Sequence, residues 1–561
     1  MSNPQARLSV KFAIWFLIIL ALGGCNLPLP NRAPASVPTY EPRIVYVTAT
    51  PDLLPIGPSW PTAVVSPTPA STAPPTIDLS GLTLFPTPTP GPLLTWTSTP
   101  LPFTLTPTPS GTPAPTSTPT APPLPPTPTS LPRSGPLYSD VLGINFISSA
   151  HHQAGGGRFR AGLNTGAGWD RFAIYWSEVE REQGKFEWTP YDEAVRNDVH
   201  HSLRTDAILL GTPHVYADAR VVPVDLGAPV FADGTDVPGA GKQINPNNPW
   251  ARFVYMVVMR YKPGGDLATA DGWAAWQGVR VWEIWNEPDL NNFWGGTVEE
   301  YARLLKVAYL AARHADPEAR IMVGGLAIFD KPYFLVNLLN TYRNDPRPVS
   351  GVYPFNIVAL HPYNHPPYTF WAVQGAKNTL AAFGLNRVPI WVNESGVALW
   401  DDYPGPNWAT RPDQIVLRAT QEEQANYVIQ SAAYAYMAGA KVVFHFQLYD
   451  DCGNQPAGTT FPPHDGGLCN SGVPCWGDAL GLMRNGTDNL CFNQHPQPNT
   501  PRPAYEAFHN VGAVFGAAPF IPIAGFTAGE RNEQQWLVFA RPDSAELITV
   551  IWNTSGIVSE A

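Results

Sequence analysis

Two shortages in this 561-residue sequence exclude whole classes of protein. Only 14% of the residues are charged and the formal net charge is −11 with no basic run, so the clustered Lys and Arg that bind phosphate backbones are missing. Nucleic acid is therefore not expected as a partner. No run of about eighteen apolar residues occurs, which excludes a bundle of membrane-spanning helices. The 19 tryptophans and 21 tyrosines instead indicate a large packed core.

Residues 1–25 have the layout of a secretory signal peptide. Arg7 and Lys11 form a positive segment, residues 12–22 are apolar but too short to cross a bilayer, and small residues precede Cys25. The ending resembles a bacterial lipoprotein signal, in which that cysteine is lipidated. An ordinary signal peptide and an uncleaved anchor are the alternatives. We expect an exported, extracytoplasmic protein, anchored by lipid on Cys25 to the cell membrane or surface.

Cysteine is scarce, and its positions are uneven. Apart from Cys25, the four cysteines share one forty-residue stretch, and they are Cys452, Cys469, Cys475 and Cys491. Four cysteines in an exported protein suggest two disulfides, for which three pairings are possible. A zinc site of four thiolates is the alternative, but the intervals of 16, 5 and 15 residues include no C-x2-C pair. We therefore expect disulfides and no metal.

Residues 26–136 are predicted to be a disordered stalk rich in proline and threonine. Within them, positions 28–136 hold 31 of the 64 prolines and only six charged side chains. Proline removes backbone donors and fixes φ, so such a segment forms neither helix nor sheet ladder and stays extended. Its expected role is to hold a folded part away from the anchor.

From about residue 137, strand-like and helix-like segments alternate. The strand-like segments are 141–146, 169–174, 206–211, 281–286, 321–325, 356–361, 390–394 and 442–448. The helix-like segments are 191–203, 249–261, 298–315, 331–342, 370–383, 421–438 and 502–515. Eight apolar strands with helices between them predict an α/β fold, a closed (β/α)8 TIM barrel over residues 137–516.

Three regions depart from this simple alternation. After the first strand, Gly155, Gly156 and Gly157 indicate a loop where a helix should follow. Long insertions at 215–245 and 450–499 follow the third and eighth strands, so they are expected on the face where barrels bind substrates. Residues 517–561 carry short alternating runs, which predict a small C-terminal β domain with too few strands to close a sandwich.

Two glutamates are delivered to the same rim of the predicted barrel. Glu287 lies in Trp-Glu-Ile-Trp-Asn-Glu-Pro-Asp (282–289) after the fourth strand, and Glu394 in Pro-Ile-Trp-Val-Asn-Glu-Ser-Gly (389–396) after the seventh. These strands stand on opposite sides of the mouth, so the carboxylates should face each other. Glycosidic bond cleavage needs such a pair, one to protonate the leaving oxygen and one to attack or support the sugar cation.

These motifs resemble the clan A of retaining glycoside hydrolases, which place Asn-Glu-Pro after strand four and a nucleophilic Glu after strand seven. The 282–294 stretch, Tyr301 and the 323–325 run Val-Gly-Gly look most like family 39, with its β-xylosidases and α-iduronidases. Family 5 cellulase-like enzymes are the near alternative. The resemblance implies a retaining O-glycoside hydrolase that acts on oligo- or polysaccharide without a cofactor.

The resemblance also implies a role for each site residue. Glu287 would be the general acid/base and Glu394 the nucleophile, with Asn286 bonded to the sugar 2-hydroxyl. Arg171 would keep Glu394 ionised, and His361 and Tyr363 would complete the floor of the subsite. Relatives commonly carry a tryptophan platform after strand eight and a threonine before the nucleophile, whereas this chain has Phe446 and Asn393. Phe446, or a loop tryptophan such as Trp476, is the candidate to replace that platform.

Some of these residues also fit a purely structural role. Glu283 lies deeper on the same strand as Glu287, and we interpret it as a buried carboxylate that needs a cationic partner. Arg171 is a candidate for that partner as well as for the catalytic role. A non-catalytic carbohydrate-binding or surface-adhesion protein on a barrel scaffold is the alternative function, and a transglycosylase shares the proposed chemistry.

Overall fold

The computed structural model describes residues 44–46, 139–150, 156–345, 353–399, 401–403, 418–450, 479–487, 495–528, 534–544 and 546–553, and every structural statement below concerns these. The signal peptide with Cys25, nearly all of the stalk, and the four cysteines Cys452, Cys469, Cys475 and Cys491 lie outside the described residues. The predictions made for them therefore remain predictions.

Eight parallel strands close into a barrel in which the last strand pairs with the first. They are β1 (Ser139–Asn145), β2 (Ala167–Tyr175), β3 (Arg204–Leu210), β4 (Val281–Ile284), β5 (Arg320–Leu326), β6 (Ile357–Leu360), β7 (Ile390–Val392) and β8 (Val442–His445). The predicted (β/α)8 barrel is confirmed. Its strands are apolar almost throughout because one face packs inside the barrel and the other under the helices.

One helix follows each strand. They are α1 (Gly156–Asn164), α2 (Thr189–His200), α3 (Pro249–Tyr261), α4 (Val298–Ala315), α5 (Phe334–Arg343), α6 (Pro366–Ala382), α7 (Gln421–Ala438) and α8 (Pro503–Phe515). Short helices at Trp176–Val179, His214–Tyr216 and Asp266–Asp271, and a ladder between Ala398–Leu399 and Arg418–Ala419, lie in the connections. In the described part of the chain, no helix has the length and apolarity needed to span a membrane.

Helix α1 corrects the sequence analysis, which expected a loop there. A helix that starts with Gly156 and Gly157 is unfavourable by propensity, but tertiary contacts outweigh propensity. Phe159 is fully buried and stacks on His201 with ring centroids 4.0 Å apart. The Arg158 guanidinium donates from Nε to the Ile147 carbonyl (2.9 Å), which ties the helix to the end of β1.

The C-terminal region forms a four-stranded sheet that packs beside the barrel. Strands β9 (Ile521–Ala528), β10 (Gln534–Ala540) and β11 (Leu547–Asn553) are antiparallel, and Ile44–Tyr46 adds a parallel strand at the β11 edge. One face meets α7 and α8, where Trp552 packs on Tyr434 at 5.2 Å and Phe539 on Phe515 at 5.1 Å. Part of the segment predicted as stalk, Ile44–Tyr46, therefore pairs with this sheet.

A buried ion-pair network joins the residues that border the long insertions. Asp450 precedes the 451–478 segment and accepts both guanidinium Nη groups of Arg502 (2.7 and 2.8 Å). Asp402 precedes the 404–417 segment and accepts from Arg502 Nε and Arg484 Nε, both at 2.8 Å. His495, just after the 488–494 segment, lies 3.0 Å from Asp402. Described residues next to three segments of the chain therefore meet at one charged cluster.

Candidate active site

The six predicted site residues converge at the carboxyl end of the barrel. Arg171 comes from within β2, Asn286 and Glu287 follow β4, His361 and Tyr363 follow β6, and Glu394 follows β7. Parallel strands deliver their following residues to one face, so segments distant in sequence share a rim. This face is the usual location of barrel active sites.

A sharp backbone turn positions Glu287. Strand β4 ends at Ile284, two residues earlier than predicted, and Trp285 and Glu287 both take left-handed φ angles of 69° and 41°. The Trp285 indole donates to the Phe293 carbonyl (2.7 Å) and packs edge-on against Trp294 at 5.2 Å. The Glu287 N–H donates to the Gly325 carbonyl (3.1 Å). Aromatic packing and a β5 carbonyl therefore hold the turn that carries this carboxylate.

Both carboxylate oxygens of Glu394 have donors. Arg171 Nη1 contacts Oε1 at 2.5 Å, and the Tyr363 hydroxyl donates to Oε2 at 2.5 Å. His361 Nδ1 lies 3.5 Å from the same Oε2. Hydrogen bonds from charged or acidic donors favour the ionised carboxylate. This environment suits a group that must react as an anion.

His361 joins the two glutamates. Its Nδ1 lies 2.8 Å from Glu287 Oε1, and ligand atoms of His361, Glu287 and Glu394 all lie within 4.8 Å of one another. Gly325 makes room for the ring, because a Cβ there would lie 1.9 Å from the imidazole Nε2. This steric contact explains the glycine at the last position of the Val-Gly-Gly run (323–325) noted in the sequence.

The two carboxyl groups have pKa shifts of opposite direction. Burial raises the pKa of Glu287 above its ordinary value, and the donated hydrogen bond and charge of His361 only partly offset it. Burial also opposes ionisation of Glu394, but the charges of His361 and Arg171 and the Tyr363 hydroxyl outweigh it, so the pKa of Glu394 is lowered. The glutamate side chains remain 12% and 9% exposed. One group thus favours the acid form and the other the anion.

The pKa of His361 itself is raised. Burial works against its charged form, but the negative charge of Glu394 and the hydrogen bond and charge of Glu287 favour it more strongly. The two glutamates therefore favour the protonated imidazole, which lies between them.

Arg171 contacts both of its predicted partner carboxylates, Glu283 and Glu394. Besides Glu394, the fully buried guanidinium binds Glu283 with Nε at 2.7 Å and Nη2 at 3.1 Å. Its Nη2 also donates to the Asn286 side-chain oxygen (3.0 Å). Glu283 is buried with a cationic partner, as interpreted from the sequence. One arginine thus supports the deep carboxylate and the rim carboxylate together.

Three polar residues at the site were not recognised in the sequence. Asn145, at the end of β1, accepts from Arg171 Nη1 (2.9 Å) and donates to the Asn393 carbonyl (3.0 Å). Asp206 on β3 accepts from the Asn393 side chain (3.2 Å), and burial together with the charge of Glu283 raises its pKa. Asp289, which follows β4, accepts from the backbone N–H groups that follow β5. For Asn145 and Asp206, a polar residue within or ending an otherwise apolar strand was the available signal.

Phe446, considered in the sequence as a replacement for the missing tryptophan platform, lies beside this cluster. Its ring is edge-on to Tyr363 at 6.2 Å and to Phe146 at 5.8 Å. Trp476, the other candidate for that place, lies outside the described residues. The structure therefore brings an aromatic ring from the end of β8 next to the Glu394 side of the mouth.

Among the described residues, Glu287, His361 and Glu394 are the group whose spacing could hold a metal ion. The nitrogen that would bind an ion, His361 Nδ1, already lies at hydrogen-bond distance from Glu287, and both oxygens of Glu394 accept from Arg171 and Tyr363. This donor set fits proton transfer better than metal ligation. The absence of a metal or cofactor remains a prediction.

Comparisons with known proteins return sugar-cleaving enzymes. No family model matches the chain. A β-xylosidase from Caldicellulosiruptor saccharolyticus is 52% identical over 52 residues, which are 9% of this chain and 10% of that protein. The match therefore spans about a tenth of the curated relative.

Solved structures of similar fold belong to the same group. A family 39 glycoside hydrolase from Bacteroides cellulosilyticus WH2 is 17% identical with a TM-score of 0.48, over 74% of this chain and 71% of that one. A monomeric β-xylosidase from Caulobacter crescentus CB15 is 15% identical with a TM-score of 0.43, over 73% and 75%.

Proposed function

We propose that this chain is a retaining glycoside hydrolase that cleaves O-glycosidic bonds by double displacement. The observation that carries the proposal is the pair Glu287 and Glu394, which lie across the barrel mouth with oxygens within 4.8 Å and with pKa shifts of opposite direction. Retaining enzymes hold their carboxyl groups about 5–5.5 Å apart, whereas inverting enzymes need roughly 6.5–9.5 Å to admit a water. The short separation supports retention.

In the first step, a Glu394 oxygen forms a bond to the anomeric carbon while the bond to the leaving oxygen breaks. The proton of Glu287 passes to that oxygen, so the leaving group departs as a neutral alcohol. In the second step, water attacks the glycosyl-enzyme, Glu287 takes its proton, and Glu394 is released as a carboxylate. Arg171 and Tyr363 stabilise the anion that begins and ends this cycle.

Asn286 fits the role of binding the sugar. Its side-chain oxygen accepts from Arg171, so its amide NH2 group is the end that can donate to a hydroxyl. A donor beside Glu287 is placed to bind the hydroxyl next to the anomeric carbon. Hydrogen bonds to that 2-hydroxyl strengthen in the transition state of glycoside cleavage.

The substrate is proposed as an oligo- or polysaccharide, and a β-xyloside is the first to test because the curated relative is a β-xylosidase. The decisive variants are Glu394→Gln, which should lose turnover of an aryl β-xyloside, and Glu287→Ala, which should regain activity with azide or a good leaving group. Glu180→Gln is a matched control, because Glu180 is also buried but bonds to Trp176 and Tyr216 instead. Substantial turnover by Glu394→Gln would exclude it as the nucleophile.

Product analysis separates the proposal from its alternatives. NMR of the first-formed sugar should show the anomer of the substrate, and inversion would contradict double displacement. Binding of oligosaccharide without release of reducing ends would favour the adhesion protein. A transglycosylase would instead give longer oligosaccharides, seen by chromatography. The intact acid–nucleophile pair favours hydrolysis over a non-catalytic role.

We propose further that the protein is exported and lipid-anchored through Cys25. The support is the order of positive segment, apolar segment and small residues before that cysteine. Metabolic labelling with a fatty acid should mark the wild-type chain and leave Cys25→Ser unlabelled. Equal labelling of both would refute the anchor without affecting the proposed reaction.

A further inference from the structure

The direction in which a leaving group departs follows from the two glutamates. This step rests on the proposed function. In the first displacement the nucleophile and the leaving oxygen lie on opposite sides of the anomeric carbon, and Glu287 must reach that oxygen. Glu394 follows β7 and Glu287 follows β4 on the opposite side of the mouth. The leaving part of the substrate therefore extends over the loops after β3, β4 and β5.

Two aromatic side chains stand exposed on the loop between β5 and α5. Phe329 is 50% exposed, although phenylalanine is among the residue types most often buried, and Tyr333 is 58% exposed. Their loop follows a strand, so it lies on the same face as the two carboxylates. Exposed aromatic rings offer the apolar faces of sugars a surface for stacking.

The same backbone frame holds this loop and the proposed acid. Asp289, two residues after Glu287 and fully buried, accepts from the N–H groups of Ala327 (3.2 Å) and Ile328 (2.7 Å). Ile328 takes a left-handed φ of 61°, and Phe329 comes next. The Glu287 N–H also binds the end of β5, at Gly325. The position of Phe329 is therefore coupled to that of the acid.

We infer that Phe329 and Tyr333 form a platform for the sugar ring on the leaving-group side of the scissile bond. The substrate class that this platform selects is an oligosaccharide with at least one sugar beyond the bond that is cut. A glycoside with a small leaving group reaches the carboxylates without touching the platform. The two side chains thus determine specificity and take no part in proton transfer or attack.

The test compares two donors with the same transferred sugar, xylotetraose and β-xylosyl fluoride. Fluoride has no ring to stack, so Phe329→Ala/Tyr333→Ala should leave kcat/KM for it unchanged. For xylotetraose, kcat/KM should fall about tenfold, which corresponds to about 1.4 kcal/mol lost with the two stacking contacts together. Trp276→Ala is the matched control, because Trp276 is 71% exposed but lies before β4, at the opposite end of the barrel.

An equal loss of kcat/KM on both donors would mean that the aromatic pair only supports the fold of the site. An unchanged kcat/KM for xylotetraose would refute the proposed platform. A binding measurement keeps the inference independent of turnover. In a Glu394→Gln background, calorimetry should show weaker xylotetraose binding by the double variant than by Trp276→Ala. Failure of the proposed function appears differently, as no transfer from the fluoride by the wild-type chain.

Discussion

The hydroxyl of Tyr363 should set the acid limb of the activity profile. It donates to Glu394 Oε2 at 2.5 Å in a buried environment, and removing it with Tyr363→Phe takes away one of the contacts that lower the pKa of Glu394. A hydrogen bond to a charged group contributes about 1.5–3 kcal/mol. Since one pKa unit corresponds to about 1.4 kcal/mol, the pKa should rise by about 1–2 units.

The lower end of that range is expected, because Arg171 still binds Oε1 and His361 still faces Oε2. A raised pKa means that Glu394 is protonated, and cannot attack, at acidic pH values where the wild-type group is ionised. The acid limb of kcat/KM should therefore move to higher pH by about one unit, while the alkaline limb set by Glu287 stays in place. An aryl β-xyloside with a good leaving group is the substrate for this profile.

Tyr342→Phe is the matched control. Tyr342 is also buried and its hydroxyl donates to a backbone carbonyl, that of Ala302 at 2.8 Å, far from any catalytic carboxylate. This variant should lose about 1 kcal/mol of unfolding free energy and keep the wild-type pH profile. If Tyr363→Phe leaves the acid limb where the wild type has it, the hydroxyl does not stabilise the Glu394 anion and the reasoning is wrong.

Three further changes test other parts of the structure. In Glu287→Ala, the alkaline limb of kcat/KM on an activated glycoside should vanish, and a limb that persists would belong to another group. Asp170 and Asp198 are buried together, and burial raises the pKa of Asp170 from 3.8 to about 6. The folded state therefore favours protonated Asp170. The free energy of unfolding should fall by about 3 kcal/mol as the pH rises from below 3.8 through 6. Asp170→Asn removes this titrating group and should reduce the loss in urea unfolding at pH 4 and 7. An unchanged difference would refute the assignment. Gly325→Ala places a Cβ 1.9 Å from Nε2 of the His361 ring. The displaced ring should lower kcat about 100-fold. An unchanged kcat would show that turnover does not require this position of the imidazole.

Helix positions were predictable where the capping chemistry is local. Helices α3, α4 and α7 begin and end at the predicted residues, and each start has a side chain that accepts from the first turn. Thr297 and Thr420 form capping boxes with the glutamates three residues later. Such contacts span three or four residues, so a sequence window contains all of their partners.

Features that depend on distant segments could not be predicted in this way. Strand β4 stops at Ile284 because Trp285 turns to pack on Trp294, which the alternation of residues does not reveal. The contact of Asn145 with Arg171 joins two strands whose register appears only in the closed barrel. The positions of Glu287 and Glu394 were predictable because the ends of parallel strands always reach one face.

The charged cluster of Asp402, Asp450, Arg484 and Arg502 affects how this protein can change over evolutionary time. Together with His495, which contacts Asp402, it joins chain positions that border the 404–417, 451–478 and 488–494 segments. Insertions or deletions inside those segments need not alter where the barrel strands end. New sequences can therefore arise between these positions while the described end of the barrel keeps its geometry.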